Sequence, residues 1–154
     1  MTAETRQEAA VIKRFRQLLC LQRDQFQRYL EVLNKQRNGI EQNKIEATVA
    51  YIEYEEQILA LIFANQRVIE SLEVLYRKIP VEEYPETQDI QALKRELEAL
   101  QKQVKRGIEE NKELLFRQMT VIASEIQALK GSVLRKRVLG GLTTVSPSCI
   151  DIEL

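Results

Sequence analysis

The residue types that carry most protein chemistry are scarce or unsuitably spaced in this sequence. Histidine is absent, which removes the commonest metal ligand and the commonest general base near neutral pH. The two cysteines, Cys20 and Cys149, lie far apart and form no CxxC pair. Cys20 lies beside apolar residues, which favours a small core residue over a reactive thiol. We therefore expect no catalytic residues, no metal site and no cofactor, and we expect that the protein is not an enzyme.

Acidic and basic clusters are present, but their spacing does not suit a chemical site. Acidic doublets occur at 55–56, 82–83 and 109–110. Neighbouring helical residues point about 100° apart, so a doublet cannot form a facing pair of catalytic carboxylates, and we interpret all three as solvated surface. The basic cluster at 135–137 is short and lacks interleaved aromatic residues, so we expect no nucleic-acid partner.

The overall charge excludes further classes of partner. The chain has 154 residues, with 23 basic and 23 acidic side chains and a formal net charge of zero. A large electrostatic field over the whole molecule is thereby excluded, and with it the simplest case for nucleic acid or an acidic membrane as the main partner. No apolar run approaches the roughly 20 residues of a spanning helix, and the N-terminus lacks a secretory pattern. We expect a cytoplasmic protein without membrane insertion.

Three segments show the alternating three- and four-residue spacing of coiled-coil heptads. Pro80 and Pro85 forbid a continuous helix, and either Asn38-Gly39 or Asn43 indicates an earlier turn, so breaks are predicted within 38–44 and 79–89. Asn43 is a plausible N-cap for the second helix. The spacing is clearest in the first segment, at Ile12, Phe15, Leu19, Gln22, Phe26, Tyr29, Leu33, Gln36 and Ile40.

These patterns predict an all-α fold. Ala, Glu, Lys, Leu and Arg make up roughly half of the chain, as in long helices and coiled coils. A single amphipathic helix cannot bury its own apolar stripe, so the segments must pack on one another. We predict an elongated antiparallel bundle of three long helices with coiled-coil-like packing over residues 1–132. An amphipathic to disordered, flexible C-terminal tail is predicted over 133–154.

The third segment contains the features that suggest a binding surface. Asn111 interrupts its apolar seam, either to fix the register between helices or to contact a partner, and the seam shifts between Gly107 and Asn111. The apolar period then continues past Gly131, which indicates either a frayed helix end or a partner-binding segment. The predicted partner-binding residues are Asn111, Leu115, Met119, Ile122, Ile126, Leu129, Val133, Leu134 and Val138.

A set of positions along the three segments matches a known pattern. The set comprises the break through 39–43, a Gly-, Ser- and Pro-containing C-terminal tail, and the residues Leu18, Leu21, Gln22, Phe26, Tyr29, Leu30, Leu33, Leu59, Ile62, Gln66, Arg67, Asn111, Leu114 and Leu115. In these positions the sequence resembles the FlgN-like flagellar export chaperones. It departs from them at residues 53–56, where the family often carries a Glu-Lys pair and this chain has Glu-Tyr-Glu-Glu.

The resemblance implies a function and its partners. A FlgN-like protein is a cytoplasmic chaperone that binds the amphipathic terminal helices of flagellar hook-associated proteins and keeps them soluble before type III secretion. Components of the export apparatus are further partners that it implies. The alternative is a non-catalytic structural or adaptor bundle, for example another secretion-system component. A spacer of that kind has no need of an apolar C-terminal segment.

Overall fold

The computed structural model describes residues 2–139, with side chains described to Lys136, and its secondary structure there is entirely helical. Helix α1 spans Ala3–Glu41, α2 spans Ile45–Tyr76 and α3 spans Thr87–Leu139, with a short 3-10 turn at Val81–Glu83 before α3. No strand occurs between residues 2 and 139. The predictions of an all-α fold, of three long helices and of two breaks are confirmed.

The contacts within the chain divide it into two compact units, Met1–Leu115 and Phe116–Leu154. The first unit contains α1, α2 and the first part of α3, and we call it the bundle. The helical part of the second unit is residues 116–139, which we call the distal segment of α3. The tail boundary predicted between residues 132 and 133 falls inside α3, and residues 140–154 lie outside the described part. None of the described helices contains a stretch long and apolar enough to cross a bilayer.

The core of the bundle is built on the heptad positions of α1. All nine positions predicted from the spacing are buried, including the two glutamines Gln22 and Gln36. Phe15 and Tyr29 are among the largest side chains that are fully buried. The facing residues come from α2 and α3 and are mostly Ile and Leu, at Ile58, Ile62, Ile69, Ile90, Leu93, Leu97, Leu100 and Val104.

Ion pairs along the edge of the bundle show how α1 and α3 are aligned. Arg16 pairs with Asp89, Arg23 with Glu96 and Arg37 with Glu110. Each pair joins residues 73 positions apart, so α1 and α3 run parallel in one fixed register, while α2 runs antiparallel to both. Exposed pairs of this kind contribute at most about 1 kcal/mol each, but they penalise a shifted register.

The turn between α1 and α2 corrects one expectation about capping. Asn43 has a positive φ of 57° and ends α1, instead of capping the start of α2. The amide of Lys44 donates to the Gly39 carbonyl and that of Asn43 to the Ile40 carbonyl, the two bonds of a Schellman motif. Asparagine tolerates the left-handed conformation that this motif requires, so its presence here marks a helix end.

A glycine marks a position where two helices of the bundle approach closely. A Cβ atom on Gly107 of α3 would lie 3.1 Å from Cδ1 of Leu33 in α1. Distances this short are tighter than ordinary carbon–carbon contact, so a larger residue at position 107 must displace Leu33. Glycine therefore allows α1 and α3 to pack closely near the end of the bundle that contains Asn111.

Candidate functional site

The structure divides the predicted partner-binding residues between the two units. Asn111 and Leu115 belong to the bundle, and the other seven belong to the distal segment. Val138 lies in α3, but its side chain is outside the described part of the chain. The two groups differ in burial and in hydrogen bonding.

Asn111 is buried, and its amide is hydrogen-bonded within the bundle. Its Nδ2 donates to the Leu33 carbonyl at 2.9 Å and to Oε1 of Gln36 at 3.0 Å. Its Oδ1 accepts a bond from Nε of Arg37 at 3.3 Å. Both Nδ2 protons and the oxygen are therefore satisfied inside the protein. Hydrogen bonds of this kind fix the register between helices, which is one of the two roles expected for Asn111. We therefore do not include Asn111 in the proposed contact surface.

The other polar residues of the seams are hydrogen-bonded in the same way. Nε2 of Gln22 donates to Oε1 of Gln66 at 2.6 Å, and Nδ2 of Asn65 donates to the Leu18 carbonyl at 3.1 Å. Since a buried polar group without a partner costs roughly 1–3 kcal/mol, such bonds favour one alignment of the helices over its neighbours. These residues specify how the bundle packs.

The distal segment of α3 carries an apolar stripe that is largely exposed. Successive residues are three or four positions apart, which places them on one face of the helix. The side chains of Met119, Ile122, Leu129 and Val133 are between 38% and 65% exposed, and Ile126 is partly buried. We call these five residues the distal stripe. Leu134, 58% exposed, flanks it, so of the six predicted residues described here five are exposed.

The charges around the distal stripe differ from those of the whole chain. Residues 116–139 contain five Lys or Arg and one Glu, a local net charge of +4 in a chain whose net charge is zero. Lys130, Arg135 and Lys136 are exposed. The segment is therefore an apolar stripe with a basic rim, a combination that suits an amphipathic helix whose own rim is acidic.

A cavity of about 190 Å³ opens in the bundle, where residues of all three helices meet. One lining residue is Glu55, which we had expected at the solvated surface; that expectation is wrong for this member of its doublet. The buried Tyr29 hydroxyl points toward its carboxylate, and Oε1 of that carboxylate has no hydrogen-bond partner among the described residues. The other lining residues are Leu33, Gln36, Ile40, Ile52, Ile108, Asn111, Lys112 and Leu115.

Burial governs the protonation of this Tyr29–Glu55 pair. Burial of the side chain, reinforced by the nearby Glu55 charge, raises the pKa of Tyr29 to about 12. Burial also raises the pKa of Glu55, although the nearby Tyr29 hydroxyl acts in the opposite direction. The pair links α1 to α2 within the bundle. The described residues contain no cluster of three or more Cys, Asp or Glu side chains that could hold a metal ion.

The α1–α3 ion pairs are a feature that the sequence reasoning missed. The sequence contains a signal for these pairs, because Arg16, Arg23 and Arg37 are separated from one another by multiples of seven residues in the first segment. Acidic residues lie at multiples of seven in the third segment as well. Matching the two sets by a constant offset would have predicted the parallel register of α1 and α3.

Comparison with known proteins gives one relative. An uncharacterized protein of Treponema pallidum (strain Nichols) is 27% identical over 129 residues, which cover 84% of this chain and 81% of the relative. No protein-family model and no solved structure match the chain. The similarity extends over most of both chains, and the name of the relative carries no function.

Proposed function

We propose that this protein is a cytoplasmic export chaperone that binds the amphipathic terminal helices of flagellar hook-associated proteins and keeps them soluble before type III secretion. The observation that carries the proposal is the exposure of the distal stripe. The resemblance to FlgN-like chaperones supplies the class of client. The stripe supplies a physical means of holding it.

The distal stripe has the dimensions of a helix-binding face. From Met119 to Val133 it covers about 21 Å of helix, or four turns, at 1.5 Å per residue. A client helix that lays its apolar face on this stripe removes apolar surface of both partners from water, at about 25 cal/mol per Å². The same contact hides the client's apolar face from other copies of the client, which is what keeps an aggregation-prone helix soluble.

The basic rim adds selectivity to this apolar contact. A net charge of +4 over residues 116–139 attracts a client helix with acidic residues beside its apolar face and disfavours one with basic residues. Because Lys130, Arg135 and Lys136 are exposed, raising the salt concentration screens their charges. We therefore expect the chaperone to bind its client more weakly in high salt, while the apolar contact keeps part of the affinity.

The test is a double substitution in the distal stripe. The variant Leu129→Asp plus Val133→Asp places two carboxylates where the client's apolar face must dock. Binding to purified hook-associated proteins, and to peptides of their terminal helices, should weaken at least about tenfold by isothermal titration calorimetry. Circular dichroism of the variant should keep the parent's helical content, since both residues are exposed.

The matched control is Val121→Asp on the same helix. Val121 is 55% exposed but lies off the stripe, so this variant adds one of the two carboxylates without touching the docking face. It should bind the client as tightly as the parent protein does. If the stripe variant binds the client as tightly as the parent does, the client site lies outside the distal stripe. If only the control binds weakly, the client site lies on the face of the segment that carries Val121.

A further inference from the structure

Helix α2 is apolar on faces that the core of the bundle does not use. Tyr54, Leu61, Val68 and Leu75 are 60%, 54%, 45% and 48% exposed. They follow one another at intervals of seven residues, so they form a line along one exposed flank of α2, beside its buried face. We call these four residues the outer stripe. Exposed apolar side chains scattered singly are ordinary, but a line of them over three heptads is typical of a helix–helix interface.

The residues between the large side chains leave room for a second helix. Gln57, Ala64 and Ser71 lie three positions after successive members of the outer stripe, and all three are exposed. Large residues alternate with small or short polar ones, so the large side chains of one helix can enter the gaps of another with the same repeat. A second copy of α2 has that repeat.

The charge distribution on α2 selects the direction of such a pairing. Residues 45–60 contain four Glu and no Lys or Arg, and three of these Glu are exposed, at 46, 53 and 56. Residues 61–78 contain three basic residues, at 67, 77 and 78, and two Glu, at 70 and 73, so the two halves carry opposite net charge. A parallel pair would set the three exposed Glu of one copy against the same three of the other. An antiparallel pair sets the acidic half of each helix against the half that carries the basic residues. Glu53, next to Tyr54, then meets Lys78, three residues after Leu75, and both are exposed.

We propose that two copies of this chain associate through the outer stripe, with their α2 helices antiparallel about a two-fold axis. The interface is isologous, so each copy contributes the same four apolar residues and each Glu53 pairs with Lys78 of the other copy. The outer stripe shares no residue with the distal stripe of α3. The proposed dimer can therefore be tested independently of the proposed chaperone function.

Sedimentation velocity of the full chain over a concentration series is the first test. The parent protein should be dimeric at the upper concentrations and dissociate on dilution. The variant Leu61→Asp plus Val68→Asp places four carboxylates near the two-fold axis and should weaken association at least about tenfold. The matched control is Phe63→Asp, because Phe63 is 63% exposed on the same helix but lies about 2.5 turns from Tyr54, on the opposite side. This control should dimerise as the parent does.

A charge exchange tests the antiparallel direction with substitutions that leave the apolar residues untouched. Glu53→Lys and Lys78→Glu should each weaken the dimer several-fold, because each sets like charges against one another. The double variant Glu53→Lys plus Lys78→Glu restores opposite charges at both ends and should recover the parent's dissociation constant. Circular dichroism of all variants should match the parent, because both positions are exposed.

Three results would overturn the proposal. The first is a parent protein that stays monomeric at every concentration. The second is a loss of association in the Phe63→Asp control as large as that in the outer-stripe variant. The third is a double charge variant that dimerises more weakly than either single variant.

Discussion

The bundle and the distal segment of α3 share one sequence pattern but differ in what covers it. Both carry apolar residues at alternating three- and four-residue intervals. In α1 all nine such positions are buried, whereas four of the five residues of the distal stripe are exposed. The spacing of apolar residues thus defines which face of a helix is apolar. It does not define what lies against that face, because that depends on the length and order of the other elements.

The two regions also differ in their polar residues. The seams of the bundle contain Gln22, Gln36, Asn65 and Asn111, and each has a specific hydrogen-bond partner in the bundle. The distal stripe is apolar throughout. A polar seam residue selects one register and one partner, so a stripe without one accepts different helices in more than one register. That difference suits a bundle that must fold one way and a segment proposed to bind a client helix.

The largest expected effect is in the core of the bundle. Phe15 is fully buried, its ring lies 4.8 Å from that of Tyr76, and Nζ of Lys94 lies 5.5 Å from its centroid. Phe15→Ala removes this packing and should lower the free energy of unfolding by about 3–5 kcal/mol in urea denaturation. Leu129→Ala in the distal stripe should lower it by less than about 0.5 kcal/mol. Equal losses would show that Leu129 is part of a core.

A smaller effect is expected from the polar seam. Asn111→Ala leaves Oε1 of Gln36 and the Leu33 carbonyl without their donor. We expect a loss of about 1–3 kcal/mol in the free energy of unfolding, with client affinity unchanged, because Asn111 is buried. Calorimetric titration with a client peptide checks the second part. A variant that keeps its stability but no longer binds the client peptide would show that Asn111 contributes to the contact surface.

The alkaline stability of the protein should depend on Tyr29. Its pKa is raised from 10.0 to about 12 in the folded state, so above pH 10 the unfolded state loses the proton first. The contribution of Tyr29 to stability is complete below pH 10 and is lost as the pH rises through 12. Urea denaturation between pH 10 and 12 should show a shallower decline for Tyr29→Phe than for the parent, by up to about 2 kcal/mol over the interval. At protein concentrations at which the chain is monomeric, the exposed-site control Tyr54→Phe should decline as the parent does.

The smallest effect compares the two glycines of α3. A Cβ on Gly131 meets no atom within 4 Å, so Gly131→Ala should stabilise the distal segment by roughly 0.5–1 kcal/mol, measured by hydrogen exchange of its amides. At Gly107 the same gain is opposed by the contact with Leu33. Gly107→Ala should therefore give a smaller gain or a loss. An equal gain at both positions would show that α1 and α3 are not tightly packed there.

Much of the fold could be predicted from the sequence because local patterns determine it. The 3-4 spacing identified every buried heptad position of α1, and Pro80 and Pro85 located the break before α3. Asn43 was assigned to the wrong helix end, because a side chain suited to an N-cap also tolerates the left-handed conformation that ends a helix. The burial of Glu55 was missed because its contact with Tyr29 joins residues distant in sequence.

The candidate site could be predicted only as a face of a helix. Met119, Leu129 and Val133 are exposed, and the spacing of apolar residues does not reveal whether a helical face is covered. The outer stripe of α2 was overlooked for a similar reason. Its residues repeat at seven-residue intervals, but the sequence contains a second apolar series on α2, and only the fold shows which series the core uses.

The most direct test of the central claim is hydrogen–deuterium exchange of the full chain with and without a purified hook-associated protein. We predict that amides in residues 116–139 exchange more slowly in the complex, because the client helix covers the distal stripe and stabilises the segment. Amides in the core of the bundle, around Phe15 and Tyr29, should be little changed. Protection that appears on α1 or α2 and leaves residues 116–139 unchanged would contradict it.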